Sequence, residues 1–201
     1  MGESRQNPEQ LPKSIQTDEE NRNKGHLKIF FGYAAGVGKT YAMLEAAHMA
    51  KQQGIDVVAG YVEPHACPKT AALLNGLEVL PTREVFYNGM ILDEFDIGMA
   101  LKRKPQLILV DELAHTNAEG CRHAIRYQDI KELLNAGIDV YTTVNVQHIE
   151  SLCDTVASIT EIVVRERIQD SIFDNANQVE LLDIEPQDLL NRLNTGNVYR
   201  L

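Results

Sequence analysis

The most informative segment of the chain reads Gly32-Tyr33-Ala34-Ala35-Gly36-Val37-Gly38-Lys39-Thr40. It follows an apolar run at residues 27–31 and leads into a helical pattern at residues 39–53. Small residues in such a strand-to-helix turn let the backbone N–H groups point at an anion, and the helix N-terminus adds partial positive charge. We expect Lys39 to reach the phosphates of a nucleotide and Thr40 to bind Mg²⁺ through its hydroxyl.

This segment departs from the usual phosphate-binding pattern at one position. The first glycine of the pattern would stand at Tyr33, five residues before Gly38, but the nearest glycine is Gly32. Either the loop is one residue wider or Gly36 makes the tight turn. An ordinary glycine-rich turn has a similar composition, but the Gly-Lys-Thr sequence between a strand and a helix favours phosphate binding. The residues expected to contact the nucleotide here are Gly32, Gly36, Val37, Gly38, Lys39 and Thr40.

A second candidate site follows the wholly apolar run Leu107–Val110, which leads into Asp111 and Glu112. An acid at the end of a buried strand is the usual companion of a phosphate-binding loop. Asp111 is therefore expected to hold Mg²⁺ through water, and Glu112 to polarise a water or hydroxyl, with possible help from His115. The alternative is a strand that runs into a solvated turn, where Asp is common.

Polar residues also follow an apolar strand predicted at residues 138–144. Thr142 or Thr143 could sense the terminal phosphate, and Asn145 or Gln147 could orient a water molecule. Taken singly, each of these residues is more typical of a helix cap or a turn.

Strand and helix patterns alternate along the chain, and several strands are apolar without alternation. Further strands are expected at residues 55–62, 84–87, 162–164 and 179–182, and helices at residues 70–74, 95–103, 123–135 and 186–193. This pattern predicts an α/β fold of the P-loop NTPase type, with a mostly parallel sheet and helices on both faces. In such folds ligands bind beyond the carboxyl ends of the strands, where the candidate residues stand.

The composition indicates how the chain divides into domains and which classes of partner are not expected. Residues 1–25 are polar and charged, which predicts a mobile arm, and residues 26–201 have the length of one nucleotide-binding domain. The formal net charge of -10 without a basic cluster argues against a nucleic-acid partner. No apolar run approaches the roughly 20 residues that span a bilayer, so direct membrane insertion is not expected. Three widely spaced cysteines predict neither a disulfide framework nor a zinc site.

Residues 31–44, 111–117 and 137–152 resemble the N-terminal cytoplasmic domain of the KdpD potassium-responsive sensor histidine kinases. The resemblance covers about residues 26–201. It implies a cytoplasmic domain of a bacterial inner-membrane sensor, followed by a universal-stress-protein-like domain, a transmembrane bundle and a histidine kinase core. The core phosphorylates a response regulator that controls potassium transport. One departure is that Ala66-Cys67 follow His65 where the family has Gly-Arg, which weakens any role of that Arg in this chain.

Three functions are compatible with these residues. The first is a regulatory domain that binds ATP and Mg²⁺ and relays occupancy through loops 112–121 and 142–148 to other domains of the same sensor. The second is a P-loop ATPase or protein kinase that phosphorylates a protein hydroxyl, for example on the potassium transport complex. The third is an interaction domain that has lost nucleotide binding, which the presence of Lys39, Thr40 and Asp111 disfavours. ATP is the expected nucleotide, but the residues alone do not fix adenine over guanine, since the absence of an Asn-Lys-x-Asp guanine motif is modest evidence.

Overall fold

A computed structural model describes residues 23–63, 68–87 and 89–194. The strands are β1 (Leu27–Gly32), β2 (Val57–Tyr61), β3 (Glu78–Val79), β4 (Arg83–Tyr87), β5 (Met90–Glu94), β6 (Leu107–Val110), β7 (Asp139–Asn145) and β8 (Gln178–Leu182). The helices are α1 (Lys39–Gln52), α2 (Pro68–Ala72), α3 (Ile97–Arg103), α4 (Arg126–Asn135), α5 (Glu150–Thr160), α6 (Ser171–Asp174) and α7 (Pro186–Asn194). The glycine-rich loop, residues 33–38, joins β1 to α1.

Six of these strands form one sheet in the order β3-β2-β6-β7-β1-β8, and every neighbouring pair is parallel. The expected α/β architecture with a mostly parallel sheet is therefore confirmed. Because the strands are parallel, the carboxyl ends of β1, β6 and β7 lie at the same edge. The sheet order places β7 between β1 and β6, so the segments that follow these three strands are neighbours in space.

Two hydrophobic cores cover the two faces of the sheet. The alternating side chains of β6 show the division, since Leu107 and Leu109 join one core while Ile108 and Val110 join the other. The first core is closed by Met43, Leu44 and Ala47 of α1. The second is closed by Ile97 of α3 and by Ile130 and Leu133 of α4. Each fully buried aliphatic side chain contributes about 1.5–3 kcal/mol to folding, which is why these strands are apolar on both faces.

Several elements differ from the sequence-based expectation. Strand β4 pairs antiparallel with β5 in a separate hairpin, and the pattern had indicated only the first of the two strands. The strand expected at residues 162–164 is wrong, because this segment has no regular secondary structure and pairs with no strand of the described chain. Helix α5 ends immediately before it, with Glu161 in the left-handed conformation at φ 59°, and Ile162 and Val163 are exposed to solvent. Their apolar character thus does not indicate burial in the sheet.

The described chain begins at Asn23, so residues 1–22 of the expected arm lie outside it. Gly25 is already part of the packed structure, since its N–H donates to the carbonyl of Leu134 at 2.8 Å. A methyl group added at Gly25 would lie 2.0 Å from the carbonyl oxygen of Ile138, so only glycine fits at this close approach. Within residues 23–63, 68–87 and 89–194, no helix is long and apolar enough to cross a membrane.

Candidate functional site

The glycine-rich loop leads into α1 without a side-chain cap. Gly36 and Gly38 have positive φ values of 87° and 110°, and Gly38 is the N-cap residue of α1. Gly38 supplies no side-chain cap to the helix, and the first turn contains no acidic residue. The N-terminal amides of a helix and its dipole attract anions, so this helix end is chemically suited to a phosphate.

Close packing, and not a turn, explains why glycine is needed at position 32. A methyl group added there would lie 2.5 Å from Cγ2 of Val37 and 3.2 Å from Cδ of Lys39. Val37, which is buried, therefore folds back over the end of β1. The positive φ angles belong to Gly36 and Gly38, so the tight turn lies later in the loop than the usual spacing would put it.

Lys39 is held over the loop at the first position of α1. Its side chain is largely buried, and its Nζ donates to the carbonyl oxygen of Ala34 at 2.9 Å. Burial lowers the pKa of Lys39 to about 8, against the opposing effect of the negative charges of Asp111 and Glu112. The ammonium thus contacts the loop and is influenced by the charges of two carboxyl groups that follow β6.

Asp111 is fully buried immediately after β6 and accepts hydrogen bonds from three sides. The hydroxyl of Thr40 donates to its Oδ2 at 3.1 Å. Its Oδ1 accepts from the hydroxyl of Thr143 on β7 and from the N–H of Glu112 at 3.2 Å. The two residues expected to hold Mg²⁺ are therefore in direct contact. A hydroxyl and a carboxylate are oxygen ligands of the kind that Mg²⁺ prefers, usually with water and phosphate completing the shell.

Glu112 has a different environment from its neighbour. Its backbone is left-handed at φ 61°, and its side chain lines a cleft next to the glycine-rich loop and is 42% exposed. Burial raises the pKa of Glu112, and the nearby charges of Asp111 and Glu63 raise it further. Because β6 ends at Val110, Asp111 and Glu112 follow the strand rather than alternating along it.

The polar residues at the end of β7 divide between the cleft and the core. Thr143 reaches Asp111 and lines the cleft, whereas Thr142 is fully buried and lies away from it. This division follows from the alternation of side chains along a strand. Asn145 and Gln147 both line the cleft. Asn145 is partly buried, and its Oδ1 has no hydrogen-bond partner within the described residues.

His115 belongs to a buried charged cluster that the sequence did not reveal. Its Nε2 lies 3.2 Å from both carboxylate oxygens of Glu94, which is the last residue of β5. Arg126 of α4 donates to Glu94 at 3.0 Å and to the carbonyl oxygen of Asp111 at 3.3 Å. Burial, the largest influence, raises the pKa of Glu94, but the hydrogen bonds from His115 and Ala118 with the nearby positive charges outweigh it and leave the pKa lowered.

One sequence signal for this cluster existed. Arg126 stands four residues before Ile130 and seven before Leu133, on the face of α4 that packs against the sheet. A charged residue at a position of the apolar helix face indicates a buried ion pair. No local pattern indicated that Glu94 would be its partner, because the two residues are far apart in the chain.

The cleft beside the loop has a volume of about 1260 Å³. The loop, the start of α1, the segments after β6 and β7, and the helix α7 line it. Leu182 of β8 and Leu189 and Leu193 of α7 form an apolar part of its wall. Arg192 of α7 donates to the carbonyl oxygen of Gly36 at 2.9 Å, a contact that the sequence did not predict. The family position at Cys67 lies outside the described residues.

The chain is similar to proteins of one family. A family model described as "Osmosensitive K+ channel His kinase sensor domain" matches residues 23–201. The sensor protein KdpD of Clostridium acetobutylicum is 59% identical over 196 residues, which are 98% of this chain and 22% of that protein. The sensor protein KdpD of Escherichia coli K12 is 56% identical over 177 residues, 88% of this chain and 20% of that protein. The chain thus spans about a fifth of the length of these relatives.

Proposed function

The chain belongs to the family of osmosensitive K⁺ channel histidine kinase sensor domains, and we propose that it serves there as a regulatory domain that binds ATP with Mg²⁺. The contact between Thr40 and Asp111 carries this proposal. It joins a hydroxyl at the start of α1 to a buried carboxylate that follows a neighbouring parallel strand. That pair beside a glycine-rich loop is the arrangement in which P-loop NTPases hold Mg²⁺ next to nucleotide phosphates.

The phosphate chain of ATP would lie along the glycine-rich loop. The backbone N–H groups at Gly36, Gly38 and the first turn of α1 supply hydrogen bonds, and the helix dipole favours the negative charge. The ammonium of Lys39 adds a charge-assisted hydrogen bond to the phosphates in place of its bond to the carbonyl of Ala34. Thr40 and Asp111 hold Mg²⁺, which neutralises part of the phosphate charge.

A regulatory role requires that ligand binding favours one conformation of the surrounding loops over another. Asp111 is linked through Arg126 to Glu94, and Glu94 contacts His115 and the N–H of Ala118. A ligand that changes the position of Asp111 or Glu112 would therefore alter the contacts of the loop at residues 112–121 and of the β4–β5 hairpin. The receiving partners would be other domains of a cytoplasmic portion of a bacterial membrane sensor, and through them a response regulator.

A second candidate is turnover of ATP by the domain itself, and the geometry of Glu112 favours it. Its carboxylate lines the cleft, and its raised pKa suits a group that takes a proton from water or a protein hydroxyl. His115 lies beside it, with Nδ1 at 3.9 Å from Oε2 of Glu112. A subunit of the potassium transport complex is one possible protein acceptor.

Two substitutions separate binding from turnover. Asp111→Asn removes the negative charge that offsets Mg²⁺, so we expect weaker ATP binding in the presence of Mg²⁺ and a smaller effect on metal-free ATP. Glu112→Gln preserves the size of the side chain, so we expect nearly unchanged ATP affinity and loss of any phosphate release. Isothermal titration with and without Mg²⁺, run beside a phosphate-release assay, measures both. The proposal is wrong if Asp111→Asn binds Mg-ATP like wild type.

A further inference from the structure

Among the described residues that line the cleft beside the glycine-rich loop, carboxyl groups outnumber cationic side chains. Its cationic side chains, apart from histidine, are Lys39, Lys69 and Arg192. Its carboxyl groups belong to Glu45, Glu63, Asp111, Glu112 and Glu166. A nucleotide polyphosphate carries several negative charges, and repulsion from these carboxylates opposes its binding. Every cation that reaches the loop therefore affects how well a phosphate chain is accepted.

Arg192 reaches the glycine-rich loop from helix α7. Its Nη1 lies 2.9 Å from the carbonyl oxygen of Gly36, and a methyl group built at Gly38 would lie 3.7 Å from the same nitrogen. The guanidinium thus rests on the segment between Gly36 and Gly38, next to the N-terminus of α1. Lys39 contacts the same loop at the carbonyl of Ala34. Two cations from distant parts of the chain therefore meet at the glycine-rich loop.

The helix that carries Arg192 lines the cleft, and the segment before it bonds to the glycine-rich loop. Leu189 and Leu193 of α7 line the cleft with Leu182 at the end of β8. The hydroxyl of Tyr33 donates to the carbonyl oxygen of Ile184 at 3.0 Å, which fastens the segment before α7 to the glycine-rich loop. Helix α7 thus lies across the cleft, with its basic residue over the loop and two leucines along the wall.

We propose that Arg192 is a second phosphate-binding cation of this site and that α7 is thereby a nucleotide-sensing helix. The inference rests on the proposed ATP binding. A phosphate oxygen carries negative charge and accepts a stronger hydrogen bond from guanidinium than a neutral carbonyl does, so a polyphosphate on the loop takes the place of the Gly36 carbonyl. The phosphate chain then links α7 to α1, and a ligand without phosphates does not.

Three substitutions of Arg192 test this role in isothermal titrations of the 201-residue chain with Mg-ATP. Arg192→Ala removes the contact, Arg192→Gln keeps a neutral donor for the Gly36 carbonyl, and Arg192→Lys keeps the charge. We expect Arg192→Ala and Arg192→Gln to weaken ATP binding roughly tenfold to a hundredfold. Arg192→Lys should retain most of the affinity. The matched control is Arg122→Gln, which removes one positive charge from a residue that pairs with Glu132 and lies outside the cleft.

A second measurement follows α7 directly. Mg-ATP should slow hydrogen exchange of the α7 amides in the wild-type chain and leave it unchanged in Arg192→Gln. The inference is overturned if Arg192→Gln binds Mg-ATP like wild type, since the side chain would then only support the loop, or if Arg192→Lys loses as much affinity as Arg192→Ala. The proposed function survives that result if Lys39→Ala still loses affinity. Failure of the wild-type chain to bind ATP would overturn both proposals.

Discussion

Arg126 is a fully buried cation within a cluster of polar groups. It donates to the carboxylate of Glu94, whose side chain is 5% exposed, and its guanidinium lies 4.1 Å from the ring centre of Tyr61. Its Nε has no hydrogen-bond partner within the described residues. Removing two charges from water is costly, and the cost is offset only while the pair stays together. Arg126 therefore ties the β4–β5 hairpin to the carbonyl of Asp111.

Substitution of Arg126 tests how far the stability of the fold depends on its ion pair with Glu94. Arg126→Met removes the guanidinium partner of the buried Glu94 and leaves it with His115 and the Ala118 N–H, so we expect the free energy of unfolding to fall by up to about 3–5 kcal/mol. Urea denaturation followed by circular dichroism measures the loss. The control is Arg122→Met, whose ion pair with Glu132 is more than half exposed on the arginine side and should be worth less than about 1 kcal/mol. Similar losses in the two variants would contradict the assigned role of Arg126.

The residues that meet at the candidate site were predictable where a local pattern defines them. Lys39, Thr40 and Asp111 each stand in a short sequence context that sets their environment, namely a glycine-rich turn into a helix or the end of an apolar strand. Glu94 and Arg192 have no such context, because each acts through a contact with a distant part of the chain. The choice between Thr142 and Thr143 depended on which face of β7 points to the cleft, and the register of a strand within its sheet is not encoded locally.

The junction between β1 and α1 depends on close packing at Gly32. Because a methyl group there would lie 2.5 Å from Cγ2 of Val37, Gly32→Ala must displace the loop or the valine. We expect a loss of about 1–3 kcal/mol in the free energy of unfolding, as for other overpacked sites, together with weaker ATP binding. The double variant Gly32→Ala, Val37→Ala removes the clash and should recover part of both. If Gly32→Ala alone matches wild type in both measurements, the loop does not need this contact.

Helices and strands with a clear apolar pattern were predicted within a few residues of their bounds, as for α1 and β6. The second strand of the hairpin was missed because its sequence, Met-Ile-Leu-Asp-Glu, does not alternate apolar and polar residues, and its buried residue is the charged Glu94. Helix α5 was missed as well. Its buried residue is Cys153, and its β-branched residues near the end, including Val156 and Ile159, have low helix propensity.

In the molecule as a whole, the sheet order could not be predicted from the sequence. Alternation of strands and helices predicted a parallel sheet, but not that β7 would lie between β1 and β6. That order brings Thr143 to the carboxylate of Asp111 and completes the link from Thr40 to β7. Contacts between sequence-distant strands decide the order, and no single segment carries that information.

We expect the folded unit to begin close to Asn23. Residues 1–22 are polar, with few apolar side chains to bury, so a chain that begins at Asn23 should keep its melting temperature within a few degrees and its ATP affinity. Removing residues 1–26 also removes the bond from Gly25 to Leu134 and the bond from the His26 N–H to Asp139. We expect that chain to melt at a lower temperature. Thermal unfolding of both truncations decides between them, and a large loss on removing residues 1–22 would mean that they dock on the domain.

A pair of titrations tests whether ATP binds through the glycine-rich loop. Mg-ATP is titrated calorimetrically into the wild-type chain and into Lys39→Ala. Loss of a charge-assisted hydrogen bond to phosphate costs about 1.5–3 kcal/mol, so we predict that Lys39→Ala binds Mg-ATP roughly tenfold to a hundredfold more weakly, with a circular dichroism spectrum that superimposes on that of wild type. Equal affinities with superimposable spectra would contradict the assignment of this loop as the phosphate site.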